Sequence, residues 1–402
     1  MSEQTALVLV LALIALVFAD QALVGLSSNG SLMLNPPAGG QVVVGGVEFR
    51  SLLDRLDMML DRLDKLETQV GTLTRQLDGY QCMTVVDTAT MTTVVSGGAK
   101  WRGGVLAGNG KIYGIPGDST SVLIIDPATN TLDTTIITGL SGPAKWHGGV
   151  LADNGKIYGI PFSSASVLII DPATNTADTT TITVISGVEK WIGGGLAGNG
   201  KIYGIPFHPA SVLIIDPATN TADTTTITGL SGSAKWHGGV LAGNGKIYGI
   251  PYHSTSVLII DPATNTADTT TITVLNGIAK WHGGVLAGNG KIYGIPGDSA
   301  SVLIIDPATD TADTTTITGL SEIFKWNGGV LAGNGKIYGI PQNSPSVLII
   351  DPAANTADTT TITGLTGDSK WVGGVLAGNG KIYGIPWGSA SVLTIKRECE
   401  GL

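Results

Sequence analysis

From Lys100 to the C-terminus one unit recurs almost unchanged every 45 residues, K-W-x-G-G-V-L-A-G-N-G-K-I-Y-G-I-P-x-x-S-x-S-V-L-I-I-D-P-A-T-N-T-A-D-T-T-T-I-T-G-L-S-G. Its Lys-Trp start falls at Trp101, Trp146, Trp191, Trp236, Trp281, Trp326 and Trp371. A repeat of this length cannot bury its apolar face alone, so neighbouring copies must stack, and a unit that reads as four short strands is a propeller blade. The predicted strands are G-G-V-L-A innermost, then K-I-Y-G-I-P, then S-V-L-I-I-D, then T-T-T-I-T on a wet outer edge. Asn109-Gly110 and its copies predict a two-residue hairpin between the first two, and D-P-A-T-N-T a tight turn between the last two.

The count predicts a closed ring. Full units start at Lys100, Lys145, Lys190, Lys235, Lys280 and Lys325, while the unit at Lys370 has room for only three strands before Leu402. The segment Thr90–Gly97 resembles T-T-T-I-T-G-L and is the expected donor of the missing outer strand, giving seven four-stranded blades closed by strand exchange. The two cysteines, Cys82 and Cys399, flank that junction, and a disulfide between them would clasp the ring. The chain-entropy model gives such a bond about 4–5 kcal/mol.

Upstream of the repeats, residues 1–26 carry an apolar run from Thr5 to Ala19, read either as a cleaved signal peptide or as a retained anchor or assembly peg. Residues 27–48 read as short strands broken by Pro-Pro and Gly-Gly, with Asn29 in an N-glycosylation tripeptide. Over residues 49–81 an unbroken heptad places Phe49, Leu56, Leu63, Val70 and Leu77 at one core position and Leu52, Met59, Leu66, Leu73 and Tyr80 at the other. That pattern predicts a parallel coiled-coil stalk roughly 48 Å long. Leucine at most of the first positions favours a homotrimer, with a dimer or tetramer left open. Residues 82–402 form the propeller head.

Net charge of −9 speaks against nucleic acid as a partner. The variation among blades is concentrated in loops expected on one face, which makes that face the candidate binding surface. The residue after each Trp is Arg102, His147, Ile192, His237, His282, Asn327 or Val372. The loop after each I-P contributes Asp118, Phe162, Phe207, His208, Tyr252, His253, Gln342 and Trp387. The lysines Lys100, Lys145, Lys190, Lys235, Lys280, Lys325 and Lys370 are expected to ring the same face, with the aspartates on the opposite rim, a segregation suited to an anionic ligand. The tryptophans are read as blade-to-blade packing in preference to sugar platforms. The histidines come from separate blades and need not converge, so no metal, other cofactor or catalytic set is assigned.

The stretch K-I-Y-G-I-P-x-x-S-x-S-V-L-I-I-D-P-A-T-N-T resembles the YVTN-type propeller repeat over residues 83–396, and that resemblance implies a seven-bladed fold. Related propellers include lactonases, amine dehydrogenase subunits and surface-layer proteins. The layout of hydrophobic leader, Gly-rich strands, stalk and head is similar to that of trimeric fibre proteins of viruses and algal surfaces. The resulting expectation is a non-enzymatic attachment protein outside the cell or on a virion, its variable face binding a glycan or surface protein. A purely structural component comes second, and a lactonase-like hydrolase third.

Overall fold

In the computed structural model the described residues are 58–69, 80–92, 95–183 and 186–401, with four short strands between residues 24 and 48. Contacts divide the chain into Cys82–Glu398 and a second unit, Met1–Gln81 with Cys399–Leu402.

The first unit is a seven-bladed propeller, each blade an antiparallel four-stranded sheet. In the first blade the strands are Trp101–Leu106, Ile112–Pro116, Leu123–Asp126 and Thr131–Asp133, and the later copies keep these bounds. The second strand, I-Y-G-I-P, is buried throughout in every blade because both faces meet a neighbouring blade. The core is therefore seven layers between blades. In one, Tyr113 and Ile115 of the first blade pack on Trp146 and Ile157 of the second. In the layer that closes the ring, Trp101 and Ile112 pack on Val375 and Tyr383. The seven repeat tryptophans thus pack blade against blade, and each of their indole N–H groups finds a backbone carbonyl, as Trp101 Nε1 does on Ser121 at 2.8 Å.

Closure by strand exchange is present, with a different donor from the expected one. The outer strand of the last blade is Tyr80–Asp87, paired with Leu393–Gly401. In the described part of Thr90–Gly97, Thr92 bridges Ser391, Met91 O accepts from Val392 N–H at 3.0 Å, and Met91 is buried in the closing layer. Cys82 and Cys399 lie on those two adjacent strands; their side chains are outside the described residues.

Two other readings shift at the turns. The Asn-Gly hairpin is a three-residue loop: Gly110 N–H donates to Ala107 O, and Gly110 alone takes a positive φ of 78°. Asn109 instead reaches out, donating to Tyr113 Oη at 3.0 Å and to Pro172 O of the next blade at 3.1 Å. The outer strand is T-A-D, not T-T-T-I-T. Asp133 caps the following threonines, and the segment returns inward so that Ile137 is buried and its carbonyl accepts from Val122 N–H.

Of the predicted stalk, residues 58–69 form a helix whose Met59, Leu63 and Leu66 are more than half exposed. The other heptad residues (Phe49, Leu52, Leu56, Val70, Leu73, Leu77, Tyr80) have no described side chains, so the helix supports only part of the expected stalk. The leader at 1–26, the Asn29 tripeptide and the proposed cleavage site also lie outside the described residues. Among the described residues no helix is long and apolar enough to cross a membrane.

The blades are locked together by the lysines before each tryptophan. Lys325 is 1% exposed, and its Nζ donates to Gly297 O (2.6 Å) and Ser299 O (3.0 Å) of the preceding blade and to Glu322 O (2.8 Å). Lys100 does the same across the closure, reaching Trp387 O and Ser389 O of the last blade. Replacing Lys325 by Met should strand these carbonyls and cost about 2–4 kcal/mol in chemical denaturation. The exposed pair of Lys156 with Asp171 is the control, and Lys156→Met should change stability by less than about 0.5 kcal/mol.

Candidate functional site

Each inner strand carries a bulge one residue after its variable position. In the first blade Trp101 pairs with Pro116 but Gly104 with Gly114, and the extra residue is Gly103, at φ +89°. The equivalent glycines, 148, 193, 238, 283, 328 and 373, form a ring in which each meets the next. A Cβ on Gly148 would lie 3.1 Å from Gly193 Cα, and one on Gly373 would lie 3.3 Å from Gly103 Cα. Backbone touches backbone around the axis, so the residue just before each glycine crowds toward the same centre.

These side chains, with those from the loop after each I-P, enclose a cavity of about 210 Å³. Arg102, His147, His237, His282 and Asn327 meet Phe162, Phe207, Tyr252, Gln342 and Trp387 there. The expectation that the histidines need not converge is therefore corrected. The His147 and His237 rings stand edge to face at 5.1 Å, and His237 and His282 stack at 5.0 Å. Burial holds all three imidazoles neutral, with the neighbouring His237 adding to the lowering at His147 and His282: His237 falls to about 4, and His147 and His282 fall well below their ordinary value. Arg102 contributes to the lowering at His147 and His237. Among the described residues no group of three His, Cys, Asp or Glu side chains is arranged to hold a metal.

The tautomer of His282 is set by its neighbours. Asn327 Nδ2 donates to Gln342 Oε1 at 3.0 Å and lies 3.2 Å from His282 Nδ1. The amide directs one hydrogen at each, which makes Nδ1 an acceptor and places the proton on Nε2. That Nε2 lies against Gly297, where a Cβ would sit 2.5 Å away. Gly117 makes the same room for Arg102, since a Cβ there would lie 3.0 Å from Arg102 Cγ and Nε.

Other predicted residues stay outside the cavity. Asp118 turns away to accept from Ala144 N–H at 2.6 Å. His208 bridges Glu189 Oε2 (2.9 Å) and Ser233 Oγ (2.8 Å), and His253 stacks on the outer side chain of Tyr252 at 4.5 Å. All seven lysines, Lys100, Lys145, Lys190, Lys235, Lys280, Lys325 and Lys370, are buried and hold backbone carbonyls. They present no cationic ring to a ligand. Nor is the opposite rim purely acidic: Lys111, Lys156 and their copies pair there with the turn aspartates.

Ile192, Val372, Glu189 and Phe324 also line the cavity. The first two occupy the variable position itself, with apolar side chains. Glu189 and Phe324 immediately precede a lysine and sit at φ of 50° and 48°, a left-handed conformation that large side chains rarely adopt.

No family model and no curated protein matches the chain. Solved structures do. The virginiamycin B lyase of Staphylococcus aureus aligns with a TM-score of 0.63 at 10% identity, covering 79% of this chain and 99% of that one. A streptogramin B lyase aligns at 0.61 and 9%, covering 78% and 98%. The extracellular domain of a hybrid two-component system from B. thetaiotaomicron aligns at 0.58 and 12%, covering 79% of this chain and 42% of that one. At these identities the likeness is one of fold. It nevertheless overturns the attachment reading, together with the lysines. The solved propellers named above are lyases and an extracellular domain of a putative two-component system, and the lysines on which an anionic glycan was to dock are buried within the blades.

The neutral histidines predict an acid-labile fold. Free imidazole takes up its proton near 6.5, whereas His237 in the fold does so near 4. Between those values the unfolded chain binds more protons, so stability is complete above pH 6.5 and falls as the pH drops through the window. For His237 the loss is on the order of 3 kcal/mol. Urea denaturation at pH 7 and 4.5 should show it, and His237→Gln should flatten the slope. The capping aspartates, lowered to about 2 at Asp178, Asp223, Asp268 and Asp358, act only at lower pH.

Proposed function

We propose that the cavity beside the glycine ring is a small-molecule site working by proton transfer, in an elimination of the kind a lyase performs. The observation that carries this reading is the meeting of neutral His147 and His237 with the Arg102 guanidinium in one cavity. A neutral imidazole has a free nitrogen to accept a proton, although His237, lowered to about 4, is a weaker base than a free imidazole. It takes a proton from a carbon next to a carbonyl; the electron pair of that C–H bond forms a C=C bond, and the leaving group departs from the next carbon with its own bonding pair. Arg102 stabilises the negative charge that gathers on the carbonyl oxygen. His237, flanked by the other two rings, is the assigned base. His282, with its proton fixed on Nε2 and its Nδ1 held by Asn327, is a positioning residue.

Support by likeness comes from the lyases of the same architecture. One of them, a catalytically inactive histidine-to-alanine variant of the Staphylococcus aureus enzyme, was crystallised with quinupristin. The test is incubation with quinupristin and with simple β-acyloxy carbonyl esters. Elimination gives a conjugated carbonyl that absorbs in the near ultraviolet, together with the free acid. Hydrolysis gives an alcohol that does not. The expected result is the conjugated product, lost by roughly a hundredfold or more in His237→Ala. An alcohol product, or undiminished turnover in that variant, would sink the reading.

We also propose that the helix at residues 58–69 associates with copies of itself. Met59, Leu63 and Leu66 repeat at heptad spacing on its exposed surface, and Lys65 pairs with Asp61 one turn back. Sedimentation equilibrium should give an oligomer, with a trimer expected, that Leu63→Asp with Leu66→Asp reduces to a monomer. A monomeric wild-type chain would end this proposal.

A further inference from the structure

Among the described residues three buried side-chain nitrogens lack a hydrogen-bond partner: Arg102 Nε, His282 Nε2 and Trp387 Nε1. All three belong to residues around the one cavity. Each is an N–H donor, given the tautomer of His282, so the cavity's unmet demand is for acceptor atoms alone. A buried donor left unpaired costs free energy; His282 Nε2 and Arg102 Nε lie against Gly297 and Gly117, so the donors offered to a ligand are the rest of the Arg102 guanidinium and the Trp387 indole N–H.

Arg102 is also a cation without an anion. Its nearest acidic groups, Asp118 and Glu189, influence it only at a distance and are engaged elsewhere, Asp118 on Ala144 N–H and Glu189 on His208. Burial lowers the guanidinium's affinity for its proton, yet arginine keeps its charge in proteins.

The wall beside Arg102 is aromatic across three blades. Its guanidinium carbon lies 5.2 Å from the Phe162 ring centre; Phe162 and Phe207 follow at 6.0 Å, and Phe207 and Tyr252 at 5.5 Å. Such a surface accepts a flat ring by stacking or edge contact.

We propose that the ligand of this cavity is an aryl carboxylate, its carboxylate held by Arg102 with the Trp387 indole N–H as second donor and its ring laid on Phe162, Phe207 and Tyr252. The proposal rests on the small-molecule reading of the cavity and names its ligand class. The carboxylate would be the group that Arg102 grips while His237 acts on the adjacent carbon.

Calorimetric titration of the full chain at pH 7 tests it with three probes: phenylacetate, phenylacetamide and acetate. The amide keeps the ring without the charge, and acetate keeps the charge without the ring. Phenylacetate should bind, with the other two weaker by roughly tenfold or more. Arg102→Gln should abolish the preference for acid over amide, and Phe207→Ala should weaken phenylacetate alone. Amide binding equal to acid binding, or no binding of phenylacetate, would overturn the proposal. A second readout separates ligand binding from architecture. Arg102→Met removes an unpaired, largely buried charge, so it should raise the thermal midpoint while destroying phenylacetate binding; a lowered midpoint would make Arg102 structural and overturn the assignment. Phenylacetate binding with no elimination from any ester would leave this ligand class standing and defeat the lyase reading, so the two fail separately.

Discussion

Seven glycines touching in a ring, Gly103 through Gly373, are the contact on which the rest of this propeller depends. Around the ring a Cβ on each glycine would lie 3.1–3.7 Å from the next glycine's Cα, tight at most positions, and each glycine also takes the positive φ that its bulge demands. The inner strands can approach this closely only because both conditions are met at once. The close approach brings the variable positions, one residue earlier, within reach of one another. His147 and His237 belong to the second and fourth blades, yet their rings are 5.1 Å apart. On a wider ring they would be separate surface residues.

The buried lysines solve a problem that the strands leave open. Loops between blades expose backbone carbonyls that no sheet partner satisfies, and burying them bare would be costly. One ammonium per blade gathers them, as Lys145 does for Gly117, Ser119 and Gly142 at 2.6, 2.9 and 2.8 Å. Burial lowers Lys145, Lys190, Lys235, Lys280 and Lys325 to about 8, while the surrounding carbonyl dipoles pull toward the charged form. A charge spent in this way is unavailable to a ligand. The lysine ring inferred from the sequence is real as a ring, and its assumed exposure was the error.

Upon a scaffold of near-identical blades, function has to come from the few positions that break the repeat. Arg102 is paired with Gly117 and His282 with Gly297, and in both blades the glycine vacates the space that the long side chain fills. In the other blades that space belongs to Phe162, Phe207, Tyr252, Gln342 or Trp387. The two loop sets are thus coupled in the first and fifth blades, whereas the second and fourth carry a large group at both positions, His147 with Phe162 and His237 with Tyr252. That coupling is visible in the aligned repeats, where both glycines are followed by Asp and preceded by Ile-Pro, but its meaning is steric and needs the neighbouring backbone. Glu189 and Phe324 were harder still, because nothing in their sequence context signals a left-handed backbone.

By itself the sequence determined the number of blades, the order of strands within each, the closure by an N-terminal strand and the face that varies. Periodicity and turn chemistry are local properties repeated seven times, so they survive the absence of coordinates. It did not determine which N-terminal segment closes the ring, because Thr90–Gly97 and Tyr80–Asp87 both suit an outer strand and only the fit beside Leu393–Gly401 separates them. Nor did it determine which polar side chains are free. Whether a lysine faces water or seven carbonyl-lined cages, and whether an arginine finds a carboxylate, depends on atoms from adjacent blades some 26 to 28 residues away in the chain. Only the tertiary structure brings those atoms together, and it leaves Arg102, alone among the cations around the cavity, without a partner of its own.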